Sequence, residues 1–198
     1  MSAADPGRER GPVLVAGVGN IFLGDDGFGV ETVRRLAALG LPEDVEVVDF
    51  GVRGVHLAYQ LLDGYRALIL VDATARGGPA GTVYLIEAAA PGEVEPQSPV
   101  LDGHRMGPDA VLALLDTLSA GTGGAPPGRV LVVGCEPQSL EEDIGLSAPV
   151  AAAVDEAVRV VLDVLRDELS LPVAGEPAAV LAGDRDRDER RAPTCGRS

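Results

Sequence analysis

Short apolar runs that alternate with amphipathic helices predict an α/β fold: a single three-layer α/β/α domain around a twisted, five-stranded, mostly parallel sheet. Three observations carry this expectation. Val13–Gly17, Val45–Asp49, Ala67–Val71, Thr82–Glu87 and Arg129–Cys135 have strand length and are rich in Val, Leu and Ile. Ala67–Val71 is continuously apolar, as expected of a strand covered on both faces. Apolar residues at helical spacing stand between several of these runs, the order that builds parallel sheets.

The elements follow in sequence. After the first strand, Val30, Val33, Leu36 and Ala37 repeat with helical period, and Gly40 with Pro42 closes that helix. Val55–Leu62 has the length of a short helix. The turn-rich Gly77-Gly78-Pro79-Ala80-Gly81 introduces the fourth strand. A Pro- and Glu-rich loop runs from Ala88 to Arg105, and Gly107-Pro108 opens a helix whose buried side carries Val111, Leu112, Leu114, Leu115 and Leu118. Ser147 is placed to N-cap the last helix, with an apolar stripe of Val150, Val154, Val158, Val161, Leu162 and Leu165. The domain is expected over residues 12–170. A polar arm (1–11) precedes it, and a Pro-, Gly- and charge-rich tail (171–198) expected to be disordered follows it.

Composition narrows the function. A chain of 198 residues can bury a core without metal or disulfide staples, and its aromatics are only 3%, so Val, Leu, Ile and Ala must build that core. The formal net charge of -15 argues against nucleic acid as a partner, since phosphates need a basic footprint. All 16 basic residues are Arg, which removes a Walker-type phosphate loop and Schiff-base lysine chemistry. No run reaches the roughly 18–20 apolar residues of a membrane helix, and the polar N-terminus lacks the apolar stretch of a signal peptide. No membrane partner and a cytoplasmic location are therefore expected. Cys135 and Cys195 are too few for a secreted disulfide framework.

In open α/β sheets ligands sit outside the carboxyl ends of the strands, and polar residues there are the first candidates. Strand one runs into Gly17-Val18-Gly19-Asn20-Ile21-Phe22-Leu23-Gly24-Asp25-Asp26-Gly27-Phe28-Gly29, strand three ends in Asp72, and strand five leads into Glu136-Pro137-Gln138-Ser139-Leu140. The first loop is no dinucleotide fingerprint: Phe22 stands where the third glycine belongs, and Asp25 and Asp26 would repel a pyrophosphate. One of the paired acids is expected to cap the helix starting near Gly27, a role assigned to Asp25. Asp26 is then left as a candidate ligand. His56 falls inside a helix and reads as structural; His104, in a polar loop, is the better functional candidate. One imidazole and two carboxylates from three loops suit a borderline divalent metal. No H-E-x-x-H and no G-x-S-x-G is present, and Cys135 reads as a small core residue rather than a nucleophile paired with His104.

The segment from Gly17-Val18-Gly19-Asn20 to Asp25-Asp26-Gly27-Phe28-Gly29 resembles the opening signature of the hydrogenase maturation endopeptidases. The strand ending at Asp72, the His104 loop and Glu136–Leu140 followed by Ile144-Gly145-Leu146-Ser147 recur in that family's order. The resemblance covers about Val13–Leu165. It implies metal positions at Asp26, Asp72 and His104, and an endopeptidase that removes the C-terminal extension of a nickel–iron hydrogenase large-subunit precursor. It also implies that the nickel is brought by that precursor and that the protein is a monomer. Asp26 is the expected catalytic acid, with Asp25 as the alternative base. The same three ligands would equally serve a metal-sensing chaperone or checkpoint that holds the subunit without cutting it.

Overall fold

The computed structural model describes residues 11–88, 114–115, 118 and 126–173. The polar arm up to residue 10, the tail from residue 174 and most of the predicted segment around His104 lie outside the described residues. Five strands form one sheet: β1 Val13–Val18, β2 Val45–Gly51, β3 Ala67–Ala73, β4 Val83–Glu87 and β5 Arg129–Cys135. Their order is β2-β1-β3-β5-β4, all neighbours parallel except the antiparallel edge pair β4–β5. The strand expectations therefore hold, with ends shifted by one or two residues.

Side-chain alternation along the central strands divides the core. Val13 and Val15 of β1 enter one cluster with Ile69, Val71, Leu131 and Val133, while Leu14 and Ala16 enter another with Leu68, Leu70, Val130 and Val132. On the first face lie α1 (Phe28–Ala37) and α3 (Ala148–Asp163), which bury Val33, Leu36, Val150, Val154, Val158 and Val161. The second face is covered by α2 (Gly54–Gln60) through Leu57, continued by a 3-10 turn carrying Leu61. Leu114, Leu115 and Leu118 have helical backbone, and Leu115 is buried against this same face. That is the described part of the helix predicted after Gly107-Pro108. The layers are thus α/β/α.

Close packing of α1 on the sheet requires glycine at Gly17 and, most tightly, at Gly29. A Cβ on Gly29 would stand 2.2 Å from the Val71 carbonyl oxygen and 2.3 Å from that of Val18. The first turn of α1 therefore lies directly across the ends of β1 and β3. This close approach, which a dinucleotide motif achieves with its third glycine, is made here at the far end of a longer loop.

The topology also locates the site. The β1–β2 connection leaves β1 on one side, and the chain then returns to place β3 on the other. Crossovers that depart in opposite directions open a crevice at the carboxyl ends of β1 and β3. Register pairs Gly17 with Val71, so Asp72 stands one residue beyond the last pair, beside the start of the β1 loop.

Candidate active site

The loop from Gly19 to Gly27 folds on its own polar groups. The Phe22 N–H donates to Asn20 Oδ1 at 3.0 Å, a local Asx turn. Asn20 donates its backbone N–H to Asp26 Oδ2 at 2.6 Å. Gly19 adopts φ +125°, and a Cβ there would lie 1.8 Å from the Asp26 carbonyl oxygen. The Cβ of any other residue type would push Asp26 away from the strand end. Gly24–Gly27 then makes a 3-10 turn that passes into α1.

Asp25 does not cap α1, contrary to expectation. Its carboxylate turns away from that helix and crosses to the loop after β5. The Gln138 and Ser139 N–H groups donate to Asp25 Oδ2 at 2.8 and 3.1 Å, and the Ser147 N–H donates to Oδ1 at 2.6 Å. The Ser147 hydroxyl adds a bond to Oδ2 at 2.9 Å. Ser147 is the residue preceding α3, yet its hydroxyl makes no cap bond to that helix because it is turned to Asp25. Backbone bonds fasten the two loops further: Gly24 N–H to the Asp143 carbonyl at 3.0 Å and Asp143 N–H to the Phe22 carbonyl at 3.2 Å.

Asp25 is only 1% exposed. Burial alone pushes its carboxyl upward, but the bonds from Ser147, Ser139 and Gln138 outweigh this and hold it below the ordinary range. An anion so fully engaged is a structural fastener and a poor proton acceptor.

Asp72 is in the opposite condition. Burial first, and then the negative charge of Asp26, push its carboxyl up to about 7 against the opposing bond from the Ala73 N–H. The β1 loop that carries Asp26 folds back on Gly19 at the end of β1, next to β3, whose carboxyl end carries Asp72, so both acids lie at one edge of the sheet. Two acids so placed are relieved by a proton or by a cation. The structure thus brings together two of the three residues picked out from sequence, while His104 lies outside the described residues. Among those described, no three His, Cys, Asp or Glu side chains form a metal-holding group. A carboxylate pair fits a divalent ion as a partial coordination sphere, completed by ligands from elsewhere.

Glu136 was visible in sequence only as a polar strand end. Its buried carboxylate accepts the Arg76 and Gly77 N–H groups at 2.8 and 3.0 Å and the Tyr84 hydroxyl at 3.0 Å. Burial raises its pKa and these donors more than reverse that, leaving it lowered. It ties down the glycine-rich turn that follows Asp72. The available signal was a pair of glycines after one strand and an acid after its register neighbour. Cys135 is buried, and burial followed by the charge of Asp25 pushes its thiol up to about 12. A thiol held protonated is no nucleophile, so the core reading stands.

Comparison with known proteins adds to this geometry. The family model of the HycI hydrogenase maturation proteases matches residues 30–164, a span that contains Asp72 and His104 and begins just after the acidic loop. The hydrogenase 2 maturation protease of Escherichia coli is 32% identical over 157 residues, covering 78% of this chain and 91% of that protein. The hydrogenase expression/formation protein HupD of Rhizobium leguminosarum is 33% identical over 194 residues, 91% of this chain and 90% of its own length. The chain belongs to the hydrogenase maturation proteases. It is an endopeptidase by family, and its fold is that of the solved members. The HybD endopeptidase of E. coli superposes on the protease with a TM-score of 0.62 at 34% identity, covering 79% of this chain and 93% of HybD. HycI of Thermococcus kodakarensis, at 21% identity and a TM-score of 0.56, shares the fold.

Proposed function

We propose that the protease removes the C-terminal extension of a nickel–iron hydrogenase large-subunit precursor after nickel has been inserted, and that Asp26, Asp72 and His104 read the precursor's nickel. The observation that carries this reading is the coupled pair Asp26–Asp72 at the switch-point crevice. Two carboxylates that repel one another fit a dication arriving with ligands of its own. The nickel is then part of the substrate, and contact with it fixes the scissile peptide against the crevice.

The division between the two loop acids assigns the proton chemistry. Asp25 is spent on holding the loops together, which leaves Asp26 as the general base for an attacking water and makes this an aspartyl-type reaction. No Ser, Thr or Cys nucleophile is required. We assign the activity to a cytoplasmic monomer; no described helix is long and apolar enough to cross a membrane.

Asp26→Ala tests the assignment. With nickel-loaded precursor, intact-mass measurement is expected to show cleavage slowed by at least about 100-fold, the usual scale for a lost general base, in a protein that still folds cooperatively. Full activity in Asp26→Ala contradicts the role. Tight association with the precursor and no mass change in the wild type would replace the endopeptidase reading with the checkpoint one.

A further inference from the structure

Nine large apolar side chains are exposed among the described residues, and five of them, Ile21, Phe22, Val52, Leu140 and Ile144, follow β1, β2 and β5 at one edge of the sheet. Single exposed apolar groups need no explanation, whereas a group of them around a reactive crevice marks a contact surface. Phe22 is 63% and Val52 53% exposed. Between the β1 loop and the end of β2 runs an open groove of about 240 Å³, lined among others by Asn20, Ile21, Phe22, Phe50, Val52 and Arg53.

Two further features define what the groove accepts. Its wall is continuous with the candidate site, because the Asn20 that lines it donates its N–H to the Asp26 carboxylate at 2.6 Å. A chain lying in the groove would therefore emerge beside Asp26. The groove's lining also carries two arginines, Arg34 and Arg53, against one acid, Asp49, on a protein of net charge -15. Arg34 is engaged by Glu31 and Asp49 at 3.2 and 3.3 Å. Arg53 is held by the Phe50 and Asp49 carbonyl oxygens at 3.1 and 2.6 Å and pairs with no carboxylate among the described residues. It is exposed and oriented.

We infer that this groove receives the extended segment of the precursor next to the scissile bond, seating an apolar side chain against Phe22 and Val52 and an acidic side chain on Arg53. The inference rests on the proposed processing function and adds the determinant by which the protease recognises its substrate's extension. Apolar anchors beside a charged contact are how extended peptides are held in register next to a catalytic centre.

Initial-rate kinetics on nickel-loaded precursor, using the full chain, test it. Phe22→Ser and Arg53→Glu are each expected to raise KM by about tenfold or more with kcat within about twofold, the pattern of lost substrate binding. A precursor whose extension acids are changed to Lys is expected to restore KM for Arg53→Glu and not for Phe22→Ser. Unchanged KM in both variants, or a fall in kcat alone, overturns the groove assignment. Should the wild type cut no precursor, the processing reading fails separately. The groove is then judged by affinity: precursor lacking its extension must bind the wild type at least about tenfold more weakly, and equal binding overturns the inference.

Discussion

Asp25→Ala is expected to unfold at much lower urea concentration than the wild type, by about 3 kcal/mol or more, and to lose cleavage with it. The carboxylate accepts three backbone N–H groups and one hydroxyl in a buried position. Removing it leaves those donors without a partner, each costing about 1–3 kcal/mol if water does not replace it. Total stability of a domain is only about 5–15 kcal/mol, so one substitution removes a large part. The loss also has a pH signature. Because the folded pKa of Asp25 is depressed below 3.8, the stability it contributes is present above that pH and lost as pH falls through the folded value. The difference between wild type and Asp25→Ala is thus expected to shrink in strong acid. A midpoint unchanged by the substitution at neutral pH would refute the fastening role.

The second large effect has the opposite sign. Asp72→Asn is expected to abolish cleavage and yet to raise the melting temperature of the metal-free protein at about pH 8. The folded pKa of Asp72, about 7, lies above its ordinary 3.8. Stability from its protonated form is complete below the unfolded value and is lost as pH rises through the folded one. An amide does not ionise, so the two proteins should agree near pH 4 and diverge above it, with a limiting difference of about 4 kcal/mol. Thermal melts across that range in chelator give the answer. A variant less stable than wild type at the alkaline end would show that ionised Asp72 is not strained by its burial and by Asp26.

These opposite outcomes separate two kinds of acid that look alike in sequence. Asp72 was legible as a candidate because strand-end position is fixed by local patterning, an apolar run and then a carboxylate, and Asp26 because its loop follows directly on a buried strand. The five strands and the long helices were legible for the same reason, since their apolar periodicity is local. The destination of the Asp25 carboxylate was not. It is decided by the approach of the 138–147 loop, more than a hundred residues away, and an N-cap is the nearest local alternative. Ser147 misled in the same way, being a good cap residue whose hydroxyl met a stronger acceptor. The antiparallel placement of β4 at the edge beside β5 likewise depends on long-range pairing. Phe22 was read only as an obstacle to a nucleotide; its exposure beside a groove emerges only when the β2 end is brought alongside.

The proposed function has the crevice acids read a metal carried by the substrate. Its most direct test is to incubate the metal-free protease with nickel-loaded and with nickel-free precursor and weigh the products. Loss of the C-terminal extension is expected from the loaded precursor alone, whereas equal cleavage of both would contradict metal reading.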